Sequence, residues 1–215
     1  IDLHGVNFND SLLENSNFAE CNFHGAKLDR ANLSGANLRN ADLEDTSLED
    51  AVLKGTNLEE AKLQFANLQH ANLQDANLRY SNLSYATCHE CIFENANLHS
   101  ANLHSTDLTR SNMVNCVLKK VNFEAADLSK ATLTGSNIEN AIFRRADLRK
   151  ANLSEVEGDF ADFQGVNMVR VKLQNAKLNN ANMGWAGLQG AEMQGAKLTK
   201  AILVESNMYM ADLTK

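Results

Sequence analysis

Residues 66–86 read ANLQHANLQDANLRYSNLSYA, a phrase that returns every five residues. A period of five suits neither common element, because a helix repeats near 3.6 residues and a strand near 2. The phrase extends outward in both directions without a break. From Leu3 to Leu213, every fifth residue gives 43 positions, of which 28 are Leu, 7 Phe, 5 Met and 1 Ile. Only Cys88 and Gly158 depart from that set. Two residues before each large one stands a small one: 25 Ala, 6 Ser, 3 Thr, 3 Cys, 5 Val and 1 Ile. The residue between them is Asn 19 times and Asp 7 times, and 8 of the 11 glycines occupy the last slot of a unit.

One large and one small apolar slot per five residues imply a short strand followed by a corner. Gly in the last slot fits a turn that needs unusual φ, and Asn suits corners and stacked hydrogen-bonded ladders. No proline occurs in the 215 residues, as expected where every backbone N–H is needed for pairing. Such a unit cannot bury its apolar side chains alone and leans on its neighbours.

The units ANLSG (31–35), ANLRN (36–40), ADLED (41–45) and ANLQD (71–75) carry a resemblance to the pentapeptide-repeat family, and it covers residues 1–215. The resemblance implies an all-β fold, a right-handed quadrilateral parallel β-helix with four units per coil. The 43 units then make about 10–11 coils, a rod about 50 Å long at a strand spacing of about 4.8 Å. Residues 20 apart share a column. We read 1–215 as a single domain and a fragment or processed part of a longer chain, since Ile1 and Lys215 both lie in frame. Gly158 breaks the large slot, and Gly158-Asp159-Phe160 imitates a unit shifted by two. The expectation is a local irregularity near 154–160 with Phe160 turned inward.

Catalytic, cofactor and metal roles find no support. Cys88-His89-Glu90-Cys91 has a metal-like spacing, but the frame turns both cysteines inward and a zinc site wants four ligands. The six histidines fall outward and scattered. His70, Glu90 and Arg110 share a column and read as a surface charge ladder, worth little. The chain is therefore expected not to be an enzyme, with no cofactor, no metal and no membrane insertion.

The net charge is −7, but residues 1–105 carry 15 acidic and 6 basic groups while 106–215 carry 12 and 14. Arg110, Lys130, Lys150 and Arg170 share a column beside Asp107, Asp127 and Asp147, which reads as a salt-bridged lattice, while Arg144, Arg145, Arg149 and Lys150 thicken it into a candidate patch for an anionic partner. Direct nucleic-acid binding is not expected, since no aromatics interleave with the cations. Phe65, Tyr80 and Tyr85 fall outward and form a candidate partner-binding patch.

The primary functional expectation is a protein-binding scaffold, of the kind the family supplies to adaptors and secreted effectors. A second is a DNA-mimic inhibitor of DNA gyrase, which the resemblance implies for some members. A third is a purely structural spacer. Inward cysteines fit a reducing cytoplasm, or a host cytosol for an effector, and relatives also occur in the thylakoid lumen. Uncapped strand edges at the termini suggest end-to-end self-association.

Overall fold

A computed structural model describes residues 1–214, and Lys215, the final position of the frame, lies outside the described residues. The middle residue of each unit, polar or apolar, bridges in parallel to the one 20 positions further on, from Asp2↔Asn22 to Glu192↔Asp212. Twenty residues therefore make one coil, four units make its four sides, and each side stacks into a continuous parallel sheet. Every large slot from Phe23 to Leu188 is buried, and so is every small slot from Cys21 to Ala191. Residues 20 apart lie directly over one another inside: Phe123, Phe143 and Phe163 stack with ring centroids 4.8 Å apart. That spacing is the distance between paired strands.

Unit 41–45 shows why the backbone repeats at five. Leu43 N donates to Lys62 O in the next coil, and Asp42 N to Cys21 O in the previous one. Asp45 N reaches Gln64 O, and Ala41 N closes the turn onto Leu38 O. The fifth donor, Glu44 N, has no backbone partner and is accepted by the Asp42 side chain at 3.2 Å. An Asn or Asp two residues earlier thus satisfies the one N–H that the coil leaves over, an Asx arrangement. With all five donors engaged, proline has no place.

Four units that carry Lys or Ser in the middle position solve the same problem from the coil below. Asp29 N is held by Asn9, Glu49 N by Asp29, Asn179 N by Asp159 and Thr199 N by Asn179. The side chains of the Asn positions also form ladders, with Asn37 donating to Asn17, Asn57 to Asn37 and Asn77 to Asn57. Most buried polar residues in the small slots are satisfied inside, as where Thr56 Oγ1 donates to Leu33 O at 2.9 Å, whereas the buried Ser111 hydroxyl has no partner.

Every corner has one geometry. All 42 last-slot residues from Gly5 to Met210 have positive φ, and 34 of them are not glycine. The first corner residue never does, which is the signature of a type II turn. No Val, Ile or Thr occupies the last slot, because β-branched residues fit φ > 0 worst.

The expected irregularity near 154–160 does not form. Glu157 bridges to Asn137 and to Lys177 in the ordinary register, Gly158 sits in the large slot, and Phe160 is 57% exposed at the corner. The vacancy is filled from its own column. A Cβ placed on Gly158 would lie 2.8 Å from both Ile138 Cγ1 and Leu178 Cδ2. The neighbours above and below lean into the gap, so no shift of frame is needed.

Candidate functional site

The fold carries its variable chemistry at the corners. Phe65 and Tyr85 share one corner column and stack with centroids 5.2 Å apart and planes 8° from parallel. Both are about half exposed. Tyr85 also meets the His104 ring edge-on at 5.5 Å. Tyr80 stands at the preceding corner, one side of the square away. It packs edge-on to His99 at 5.8 Å, with the Arg79 guanidinium 5.3 Å from its ring centre. Burial, and then the charge of Arg79, lower the His99 pKa, which favours the neutral imidazole beside Tyr80. The candidate patch is thus two aromatic clusters on adjacent corners. Phe160 and Trp185 add exposed aromatics at other points of the rod; Trp185 Nε1 donates to Glu205 at 2.6 Å. Phe160 was legible as an outward residue from its place in the frame, had Gly158 not suggested a shift.

The four cationic residues occupy two corners of one coil. Arg144 bonds Asp162 at 2.7 Å, and Arg149 is held by Asp147, whose hydrogen bond raises the Arg149 pKa. Arg145 and Lys150 have no carboxylate within 4.0 Å among the described residues, and neither do Lys130 and Arg170 in the Lys150 column. The expected salt-bridged lattice is therefore a single pair: Asp107 and Asp127 cap the backbone N–H groups of Thr109 and Ser129 instead.

That column behaves differently further up. Arg30 grips Asp10 through two bonds of 2.7 and 2.8 Å, His70 lies between Asp50 and Glu90, and Arg110 meets Glu90 at 3.0 Å. The Arg30 bond holds the Asp10 carboxyl below the usual range, and the Arg110 bond does the same for Glu90. The ladder expected for His70, Glu90 and Arg110 is present and starts at Asp10.

All four cysteines are buried and free. Burial pushes the Cys116 thiol up to about 12 and the Cys91 thiol well above its ordinary value. Cys91 donates to Leu68 O and Cys116 to Phe93 O, as hydroxyls do in the same slots. The Cys88 and Cys91 thiols lie near one another inside, but His89 and Glu90 between them face outward, so the four side chains do not converge on a point. Two partly exposed corner groups, His24 with Asp42 and Glu44, and Glu49 with Asp50 and His70, bring three potential ligand atoms within 4.8 Å. Asp42 already holds Lys62, and Asp50 faces His70. No helix among the described residues is long and apolar enough to cross a membrane.

A square rod with a dry core and chemically varied corners defines a solenoid repeat protein. The pentapeptide-repeat model matches residues 1–35, 36–75, 167–204 and 181–215, and the pentapeptide repeat region model matches 86–163. The chain belongs to the pentapeptide-repeat family. It is similar to HetL, a pentapeptide repeat protein involved in heterocyst differentiation regulation from the cyanobacterium Nostoc sp. strain PCC 7120. That match has 29% identity over 97% of this chain and 90% of HetL, with a TM-score of 0.40. It is also similar to a trypsin-treated form of QnrB1, a plasmid-mediated fluoroquinolone resistance protein. There the identity is 21% over 89% of each chain, with a TM-score of 0.58. A pentapeptide repeat protein from the Arabidopsis thaliana thylakoid lumen is 31% identical over 47% of this chain and 63% of its own, with a TM-score of 0.23. No curated protein matches the chain.

Proposed function

We propose that this chain is a non-enzymatic scaffold that holds a protein partner against one side of a right-handed β-helical rod. The observation that carries this reading is the Phe65–Tyr85 stack. Two large aromatic side chains stand half exposed at turn positions whose left-handed φ favours Gly or Asn. Their stack contributes about 0.2–1 kcal/mol to the coil, as cross-strand aromatic pairs do, and exposed aromatic rings are also the usual anchors of an interface. The four reduced, buried thiols suit a reducing compartment such as the cytoplasm.

The test is a pull-down from cell lysate with wild type, Phe65→Ser/Tyr85→Ser and Tyr80→Ser, at matched thermal stability. A partner kept by wild type and lost from the Phe65/Tyr85 variant supports the scaffold. A partner indifferent to both variants removes the aromatic corners from the reading.

The second reading is a DNA-mimic inhibitor of gyrase, supported by the acidic first half and by the fold shared with QnrB1. The unpaired Lys130, Lys150 and Arg170 interrupt the negative track that mimicry needs. Inhibition of gyrase supercoiling at micromolar protein would reverse the order of the two readings.

A further inference from the structure

One side of the rod has a charge pattern that inverts along its length. Its outward strand column runs through Ser47, Thr87, Asp107 and Asp147, and one corner column borders it on each side. Near one end, Glu44 and Asp45 stand on the first corner, Glu49 and Asp50 on the second. One hundred residues on is five coils on, and so returns to the same columns. There the same positions carry Arg144 and Arg145 on the first corner, Arg149 and Lys150 on the second. The segments LEDTSLED (43–50) and FRRADLRK (143–150) place acid and base in equivalent outward slots four times out of four. Asp45, Asp50 and all four cations are exposed, while Glu44 and Glu49 are partly so.

A surface whose two halves are charge inverses complements itself when turned end over end. We propose that the protein forms an antiparallel, face-to-face homodimer through this side. This deepens the scaffold reading, because it names a second copy as the partner of the face that Phe65 and Tyr85 border. The two-fold axis lies in the face, across the rod, midway between Thr87 and Asp107. It sets each corner column against the same column of the second copy, an isologous contact. Asp45 meets Arg145, Asp50 meets Lys150, and the two Glu–Arg pairs follow in step. Arg145 and Lys150, which have no carboxylate within 4.0 Å in the monomer among the described residues, gain one each.

The same operation matches shape as well as charge. Phe65 falls against Ala125 and Tyr85 against Ser105, so each projecting ring meets a small side chain. Near the axis, Glu90 meets Arg110 of the second copy, and the two existing Glu90–Arg110 pairs merge into a four-membered cluster. Two basic meetings remain: Arg30 faces Arg170, where Asp10 neutralises Arg30 through both its oxygens, and His70 faces Lys130, where Asp50 and Glu90 flank the imidazole. One side of a rod about 50 Å long lies at the low end of specific interfaces, which cover about 800 Å² per partner. The dimer is consequently weak and salt-sensitive.

Sedimentation velocity on the full chain tests this. At about 50 mM salt, wild type is expected to show a concentration-dependent dimer that dissociates at about 500 mM salt, where screening is strong. Arg145→Asp/Lys150→Asp makes both ends of the face acidic, and Asp45→Arg/Asp50→Arg makes both basic. Each variant alone should be monomeric, with Kd raised at least about tenfold, one 1.4 kcal/mol step. An equimolar mixture should restore a heterodimer, because every contact is again paired. Should a double variant fail to fold, the single Lys150→Glu variant carries the same expectation. A wild type that stays monomeric at low salt, or a dimer indifferent to these changes, overturns the proposal. A monomer that still retains a lysate protein through Phe65 and Tyr85 overturns the dimer alone and leaves the scaffold reading standing.

Discussion

The Lys150 corner shows two regimes along one straight column. From Asp10 to Arg110 acidic and basic residues alternate, and each of Arg30, His70 and Arg110 has a carboxylate one coil away. From Lys130 to Arg170 three cations stack with no carboxylate within reach among the described residues. Backbone, core and turn type are the same in both stretches. Stacked like charges repel, and only a fold secured from the inside tolerates them. The comparison teaches that the inward slots specify the structure, while the corners are free to hold unfavourable combinations that a partner can exploit.

Leu58 and Gly158 occupy the same inward column five coils apart, and they give the sharpest test of that division. Leu58→Ala should destabilise by about 2–5 kcal/mol, as regular core truncations do. Restoring the repeat with Gly158→Leu should also destabilise, by about 1–3 kcal/mol, because Ile138 and Leu178 already fill the space. Urea unfolding followed by circular dichroism measures both. A stabilised Gly158→Leu would mean that the column there is looser than the contacts show.

A smaller effect separates the two ways of satisfying the first corner N–H. Asn77→Ala removes a ladder rung to Asn57 and the acceptor for Arg79 N, and should cost about 1 kcal/mol. Lys177→Ala should cost less in the same assay, because Asp159 holds the following N–H. Corner strain is of similar size. Phe160→Gly relieves a left-handed residue and should stabilise by up to about 1 kcal/mol, while Gly35→Val should destabilise, since even its Cβ would lie 2.5 Å from Asn15 Oδ1.

The smallest expected effect is electrostatic. Asp10, Glu90 and Glu157 all have lowered folded pKa values, each mainly through a hydrogen bond to a cation. Their contribution is therefore present above the unfolded carboxylate pKa, about 4, and is lost as pH falls through the lower folded values. Thermal melts should show a modest fall in Tm below about pH 4 that high salt reduces. Arg30→Ala should flatten the part owed to Asp10.

Much of this was legible in the sequence, because the signal lies in side-chain size at fixed spacing. The frame from Leu3 to Leu213, the inward cysteines and the outward Phe65 and Tyr85 all follow from it, whereas the stacking of residues 20 apart follows from the family resemblance, because spacing alone does not set the number of units per coil. What escaped depends on how neighbours adjust. Gly158 looks like a fault until Ile138 and Leu178 are seen leaning in. Asp107 and Asp127 look like partners for lysines until their oxygens are found on backbone N–H groups. The split between Tyr80 and the Phe65–Tyr85 stack needs the width of one side of the square, which residue spacing does not contain.

The strict register of 20 gives every residue an angular address, set only by its distance along the chain. Removing one whole coil shortens the rod and leaves every column in place. Removing a single pentapeptide between Asp50 and Arg144 turns all that follows by a quarter revolution, carrying Arg144, Arg145, Arg149 and Lys150 onto the next side while altering none of them. Length in this molecule is a rotational coordinate, and insertions that keep the surfaces aligned come in multiples of four units.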